Sequence, residues 1–213
     1  SILSMKTLFE NWRKFLIKEG RGEVIVALLG PTAAGKSMVR DIFVESGWEK
    51  IVSYTTRQPR RGTEEEKNQE YKFVDSNKFE ELRDGLTNVN TYKGDEYGVS
   101  KEQIRNPAPY QVMITDRTSI DSLRQEVESL GKNIVLVYVT NPDKQLLALN
   151  QKQRLQRGQI TQQEYEDRLQ ELRDEIREEP GITKSVNHVI IQPTREEAEA
   201  EARQLASELK RVT

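Results

Sequence analysis

In the string Gly30-Pro31-Thr32-Ala33-Ala34-Gly35-Lys36-Ser37, every fixed position has a task in holding a chain of phosphates. Backbone N–H groups can wrap the anion, and glycine permits the close approach and unusual dihedrals that wrapping requires. Lys36 is placed to reach the outer phosphates, and the Ser37 hydroxyl to take Mg2+. Contacts to the phosphates of a nucleotide are therefore expected from Gly30, Ala33, Ala34, Gly35, Lys36, Ser37 and Met38. A second phosphate-bearing substrate needs an anion site of its own. Arg57 and Arg60, three residues apart with Pro59 stiffening the link, can offer fork-shaped donors to one phosphate; the alternative is a surface arginine pair beside core tyrosines. Val112-Met113-Ile114-Thr115-Asp116 ends an apolar run in a carboxylate, which either stands beside the magnesium and its waters or caps the next helix. Arg154 and Arg157 share one helical face and Arg168 follows on the next helix. By themselves they read as solvent-exposed partners of neighbouring glutamates.

The elements that must position these residues follow from the apolar pattern. Glu23 to Leu29 is a continuous β-branched run of the kind a parallel strand shows when both faces are covered. After the loop, Met38, Val39, Ile42 and Phe43 fall at helical spacing, and Gly47 is placed to stop that helix. Further strands are expected at Ile51–Tyr54, Gln111–Thr115, Ile134–Val139 and Val189–Gln192. The alternation with helices predicts a doubly wound, three-layer α/β sandwich on a five-stranded parallel sheet. Residues 56–98 break the pattern and read as an inserted subdomain with a helix around Phe79 to Leu82. Residues 143–179 read as a lid of two charged helices that meet at Gly158. The second lid helix opens with a Thr161/Glu164 capping box, carries Tyr165, Leu169, Leu172 and Ile176 as its stripe, and is expected to stop before Pro180-Gly181. A last helix starts at Thr194. An N-terminal helix in residues 1–22, with Leu8, Trp12, Phe15 and Leu16 on one face, would dock on the body, self-associate or touch a membrane surface. The domain proper is expected over 23–213, with its core in 23–55, 99–142 and 180–213.

Ser53-Tyr54-Thr55-Thr56-Arg57-Gln58-Pro59-Arg60-Arg61-Gly62, followed by Glu70-Tyr71-Lys72-Phe73-Val74, resembles the signature of guanylate kinases. The resemblance extends through Tyr97-Gly98, Asp116, the lid arginines and the last strand and helix. It implies a nucleoside monophosphate kinase that uses ATP and Mg2+, with Ser37 and Asp116 at the metal and Lys36, Arg57, Arg154, Arg157, Arg168 and Asp116 as catalytic residues. The acceptor would meet Ser53, Arg57, Arg60, Tyr71, Asn88 and Tyr97. Where the family places a glutamate against the N1-H and exocyclic amine of guanine, this chain has Asn88, and an amide offers one donor and one acceptor instead. Where the family has a serine or threonine after the Tyr-Gly pair, it has Val99, and the stretch between the first two lid arginines is one residue shorter. The expected acceptor is therefore (d)GMP or another nucleoside monophosphate, modified and pyrimidine deoxynucleotides included. A ribosyl phosphate kinase and a non-catalytic binding module are the alternatives.

The 213 residues are 35% hydrophobic and 32% charged, with the apolar residues in compact bursts, which argues for one folding unit and against disorder. A net charge of -2 leaves no global basic surface for a nucleic-acid backbone. The absence of cysteine excludes disulfides, a thiolate nucleophile and a cysteine zinc site. His188, the one histidine, lies in an apolar run and reads as a strand residue. With no apolar stretch of membrane-spanning length and no signal-peptide pattern, a cytoplasmic monomer or homodimer is expected.

Overall fold

The computed structural model describes residues 22–60 and 69–212. The expected N-terminal helix, with Leu8, Trp12, Phe15 and Leu16, and residues 61–68 of the insert lie outside them. The first half of the chain runs β1 (Val24–Leu29), α1 (Lys36–Glu45), β2 (Glu49–Lys50), β3 (Tyr54–Thr55), β4 (Lys72–Phe73), α2 (Ser76–Leu82), β5 (Leu86–Tyr92), β6 (Asp95–Ser100) and α3 (Lys101–Arg105). The second half runs β7 (Tyr110–Ile114), α4 (Ile120–Ser129), β8 (Asn133–Thr140), α5 (Lys144–Gln156), α6 (Gln162–Ser185), β9 (His188–Ile191) and α7 (Arg195–Val212).

The main sheet is parallel throughout, in the order β2-β7-β1-β8-β9. Every residue of β1 is buried because alternate side chains enter opposite cores. Val24, Val26 and Leu28 pack with Val39, Ile42 and Phe43 of α1 and Ala202, Leu205 and Leu209 of α7. Ile25, Ala27 and Leu29 pack with Ile104 of α3 and Leu123 and Val127 of α4. Two helical layers thus enclose the sheet, and its C-terminal edge presents the loop after β1. The inserted segment forms a second sheet, β4-β3-β6-β5, antiparallel except between β3 and β4. Among the described residues no helix is long and apolar enough to cross a membrane.

Two boundaries differ from expectation by more than one residue. The second strand of the main sheet is Glu49–Lys50, not Ile51–Tyr54. Ile51 N–H still donates to Val112 O at 2.9 Å. At Val52, however, the Gln103 side-chain amide takes both backbone groups, accepting from N–H at 3.0 Å and donating to C=O at 2.9 Å. A side chain thus replaces the neighbouring strand, and Tyr54–Thr55 passes into the second sheet. Helix α6 does not stop before Pro180 but runs through it to Ser185. A proline forfeits one helical hydrogen bond. The turns beyond it are held by Ile182, packed on the second core, and those before it by Glu179, which bonds to β8 and α5. The Thr161/Glu164 capping box forms, and Thr194 opens α7 with a reciprocal bond to Glu197. His188 is a buried strand residue with Nε2 at 2.9 Å from Glu201 Oε1.

Candidate functional site

Strand β1 delivers the chain to Gly30 at φ 140°, where an added Cβ would lie 2.0 Å from the carbonyl oxygen of Val139 on β8. Only glycine fits so close to backbone. The loop then turns through Ala33 (φ 63°) and Gly35 (φ 96°) into α1. Gly35 caps that helix with no side-chain bond, and the first turn holds no acidic residue. Its leading amides therefore remain for an anion, at the positive end of the helix dipole. Lys36 Nζ donates to the loop carbonyls of Gly30 at 2.6 Å and Pro31 at 2.7 Å. Burial brings the Lys36 ammonium down to about 8, with Glu175 opposing and Arg154 adding to that drop.

Opposite the loop, across a cleft of about 450 Å³, stand Ser53, Arg60, Glu70 and Tyr71, with Ile51 and Ile114 as its apolar floor and Arg154 and Gln159 at its side. Tyr71 meets Tyr97 edge-on at 6.0 Å between ring centroids, and the Arg57 guanidinium lies over Tyr71 at 5.3 Å and over Phe73 at 5.5 Å. The structure thus brings Lys36, Ser37, Ser53, Arg60, Tyr71 and Arg154 to one cleft, with Arg57 and Tyr97 packed around Tyr71.

Helices α5 and α6 meet the loop at Thr32. Its Oγ1 accepts from Gln151 Nε2 at 3.1 Å and from Arg168 Nη1 at 3.3 Å, and its N–H donates to Glu175 Oε2 at 3.3 Å. Burial raises the Glu175 carboxyl, against the pull of Lys36 and the Thr32 amide. Further along α6, Glu179 accepts from Lys144 Nζ at 2.6 Å and from Thr140 Oγ1 at 3.1 Å. The tip of the β5–β6 hairpin also reaches α6, through Lys93 to Glu171 at 3.2 Å and through the Tyr92 hydroxyl to the same carboxylate.

Comparison with known proteins agrees with this architecture. The family model described as guanylate kinase matches residues 22–205. This chain belongs to the guanylate kinase family. A guanylate kinase of Latilactobacillus sakei is 31% identical over 74% of this chain and 76% of its own length. One from Lactobacillus johnsonii is 30% identical over 56% of this chain, so that the match spans 60% of that relative. The crystal structure of guanylate kinase from Anaplasma phagocytophilum superposes with a TM-score of 0.61 over 89% of this chain and 86% of that one, at 20% identity, and shows the shared fold.

Within this guanylate kinase-family fold, Asp116, Asn88 and Val99 have protein partners of their own, and Arg157 stands at a helix end. Asp116 caps the short turn Arg117–Ser119, accepting from Thr118 N–H at 2.8 Å and Ser119 N–H at 3.0 Å, and its other oxygen accepts from Ser119 Oγ and Asn90 Nδ2 at 2.7 Å. The helix-capping alternative is the one this geometry builds. Asn88 sits at φ 58° on an irregularity of β5, and its Oδ1 accepts from Ser122 Oγ at 2.8 Å, away from the cleft lining. Val99 is part of the second core. Arg157 ends α5 as its exposed C-cap, its N–H still bonded to Gln153 O at 3.0 Å, and it is not among the residues that line the cleft. Among the described residues no cluster of three or more His, Cys, Asp or Glu suits a metal ion. The exposed Ser37 hydroxyl on the cleft wall suits Mg2+, which dehydrates reluctantly and binds through one or two protein oxygens together with substrate phosphates.

The sequence reading passed over Arg40, Glu70, Gln151 and Glu175. A signal for the last was available. Arg168, Leu172, Glu175 and Glu179 recur at steps of four, three and four, the buried face of a helix, whereas the purely apolar stripe lies to one side of it.

Proposed function

We propose that this chain transfers the γ-phosphoryl group of ATP to the phosphate of a nucleoside monophosphate. One observation carries this reading: a glycine-capped helix N-terminus with Lys36 faces Arg60 and Tyr71 across one cleft. An acceptor phosphate oxygen attacks the γ-phosphorus, the bond to the β,γ-bridging oxygen breaks, and ADP leaves. The attacking oxygen is already anionic, so no general base is needed and positioning with charge neutralisation carries the rate. Lys36 neutralises the outer phosphates, Arg60 and the Tyr71 hydroxyl hold the acceptor phosphate with Arg57 stacked behind, and Arg154 and Arg168 bring lid charge toward the loop. Mg2+, for which the Ser37 hydroxyl would be a protein ligand, would supply further charge compensation on the phosphates. GMP or dGMP is the first acceptor to test. The engagement of Asn88 with Ser122 favours, as a second reading, a monophosphate whose base is held by Ser53 and the apolar Ile51 and Ile114. A coupled ADP-release assay across ribo- and deoxyribonucleoside monophosphates, beside Lys36→Ala, decides both. Release that no acceptor stimulates above the Lys36→Ala background refutes the kinase reading, and preference for GMP or dGMP by orders of magnitude refutes the second.

A further inference from the structure

Resting on the kinase reading, we infer that Arg40 and Glu70 form a positioning pair that fixes the acceptor wall of the cleft relative to the phosphate loop. Arg40 lies one helical turn after Lys36 on α1, yet its side chain points across to the segment just before Tyr71. Nη1 and Nη2 meet the two Glu70 oxygens at 2.8 Å and 2.9 Å, a parallel fork, while Nε and Nη2 are both steadied by Asp41 Oδ1. Arg40 is 3% exposed, a position a charged side chain occupies only when paired. Burial pushes the Glu70 carboxyl up, but the hydrogen bonds and charge of Arg40, with the charges of Lys50 and Arg60, hold it below the usual range.

Both members line the same cleft as Lys36 and Tyr71. The fork therefore ties the helix that carries the donor lysine to the segment, just before β4, that carries the acceptor ligand. Two parallel bonds fix angle as well as distance, which a lysine, with its single point charge, cannot do. Phosphoryl transfer between two bound phosphates is sensitive to their spacing, and a misplacement of about 1 Å can cost on the order of 100-fold. Neither residue touches the reacting atoms; each acts through Tyr71 and Lys36.

The test uses Glu70→Gln and Arg40→Lys in the full chain, with GMP or the best acceptor of the nucleotide panel. Each variant is expected to lower kcat/KM for the acceptor by roughly 10- to 100-fold while KM for ATP stays within about twofold. Without nucleotide, Glu70→Gln is expected to speed hydrogen exchange at the Lys72 and Val74 amides, which pair with Ser53 and Thr55, and to leave the Val39 amide unchanged. Wild-type kinetics in Arg40→Lys would overturn the inference. So would a KM for ATP that rises as far as that for the acceptor, or a lower melting temperature with unchanged kinetics and exchange. A wild-type protein with no acceptor-stimulated ADP release refutes the kinase reading instead, and the exchange experiment then decides whether the pair holds the wall.

Discussion

Replacing Thr32 with valine keeps the shape of the side chain and removes the oxygen that holds α5 and α6 to the phosphate loop. Gln151 is completely buried, its Oε1 already has no partner, and its Nε2 has Thr32 Oγ1. In Thr32→Val the Gln151 amide is therefore orphaned at both ends. Leaving a buried polar group unsatisfied costs about 1–3 kcal/mol, which corresponds to roughly a 5- to 150-fold shift toward lid opening. Arg168, which also loses a bond at 3.3 Å and has a buried, unpartnered Nε, moves the effect toward the upper end. Native-state hydrogen exchange at the α5 and α6 amides reads this opening directly, because a local event need not change global stability. Adding Gln151→Leu to Thr32→Val is expected to restore most of the protection, since removing both partners of a buried hydrogen bond is nearly neutral. Exchange within twofold of wild type in Thr32→Val, or no recovery in the double variant, would refute the reasoning.

Gly30→Ala pushes a Cβ to 2.0 Å from the Val139 carbonyl at a φ of 140°; loss of nucleotide binding and a fall in melting temperature of several degrees are expected by calorimetry and circular dichroism. Lys36 titrates near 8 in the unliganded protein, and bound phosphates raise that value. Nucleotide binding should take up a proton as pH rises above about 8, and affinity should decline across the same range; calorimetry in buffers of different ionisation enthalpy measures both. Asp116→Ala removes the cap of a helical turn and is expected to cost about 0.5–2 kcal/mol of stability, with KM for Mg-ATP within twofold of wild type. A KM increase of tenfold would return Asp116 to the metal.

How legible the molecule was in its sequence depends on whether a signal is local. The loop from Gly30 to Ser37, the continuous β1 run and the Thr161/Glu164 capping box are defined by neighbours a few residues apart, and they stand where the spacing put them. Long-range substitutions of one partner for another were not visible. Gln103 standing in for a strand at Val52 shortens β2, and bonds from Glu179 to Lys144 and Thr140 carry α6 past a proline. In the candidate site the same division holds. Arg60 and Tyr71 face the loop as their motif suggests, whereas Asn88 and Asp116 are bound by Ser122 and Asn90, partners tens of residues distant. Arg40 carries no local signal, because its partner Glu70 comes from the inserted segment thirty residues on.

The inserted sheet leaves the core after β2 and returns before β7, two strands that are neighbours and run parallel. Parallel neighbours require a crossover of about a dozen residues, usually helical. Residues 51–53 and 101–109, which include α3, already make up such a crossover. The inserted sheet is thus spliced into a connection that is topologically complete without it. Excising residues 54–100 would leave an ordinary strand–helix–strand unit that keeps Ile51, Ser53 and Ile114 and loses Arg60 and Tyr71, so the residues proposed to hold the acceptor phosphate sit on a removable cassette.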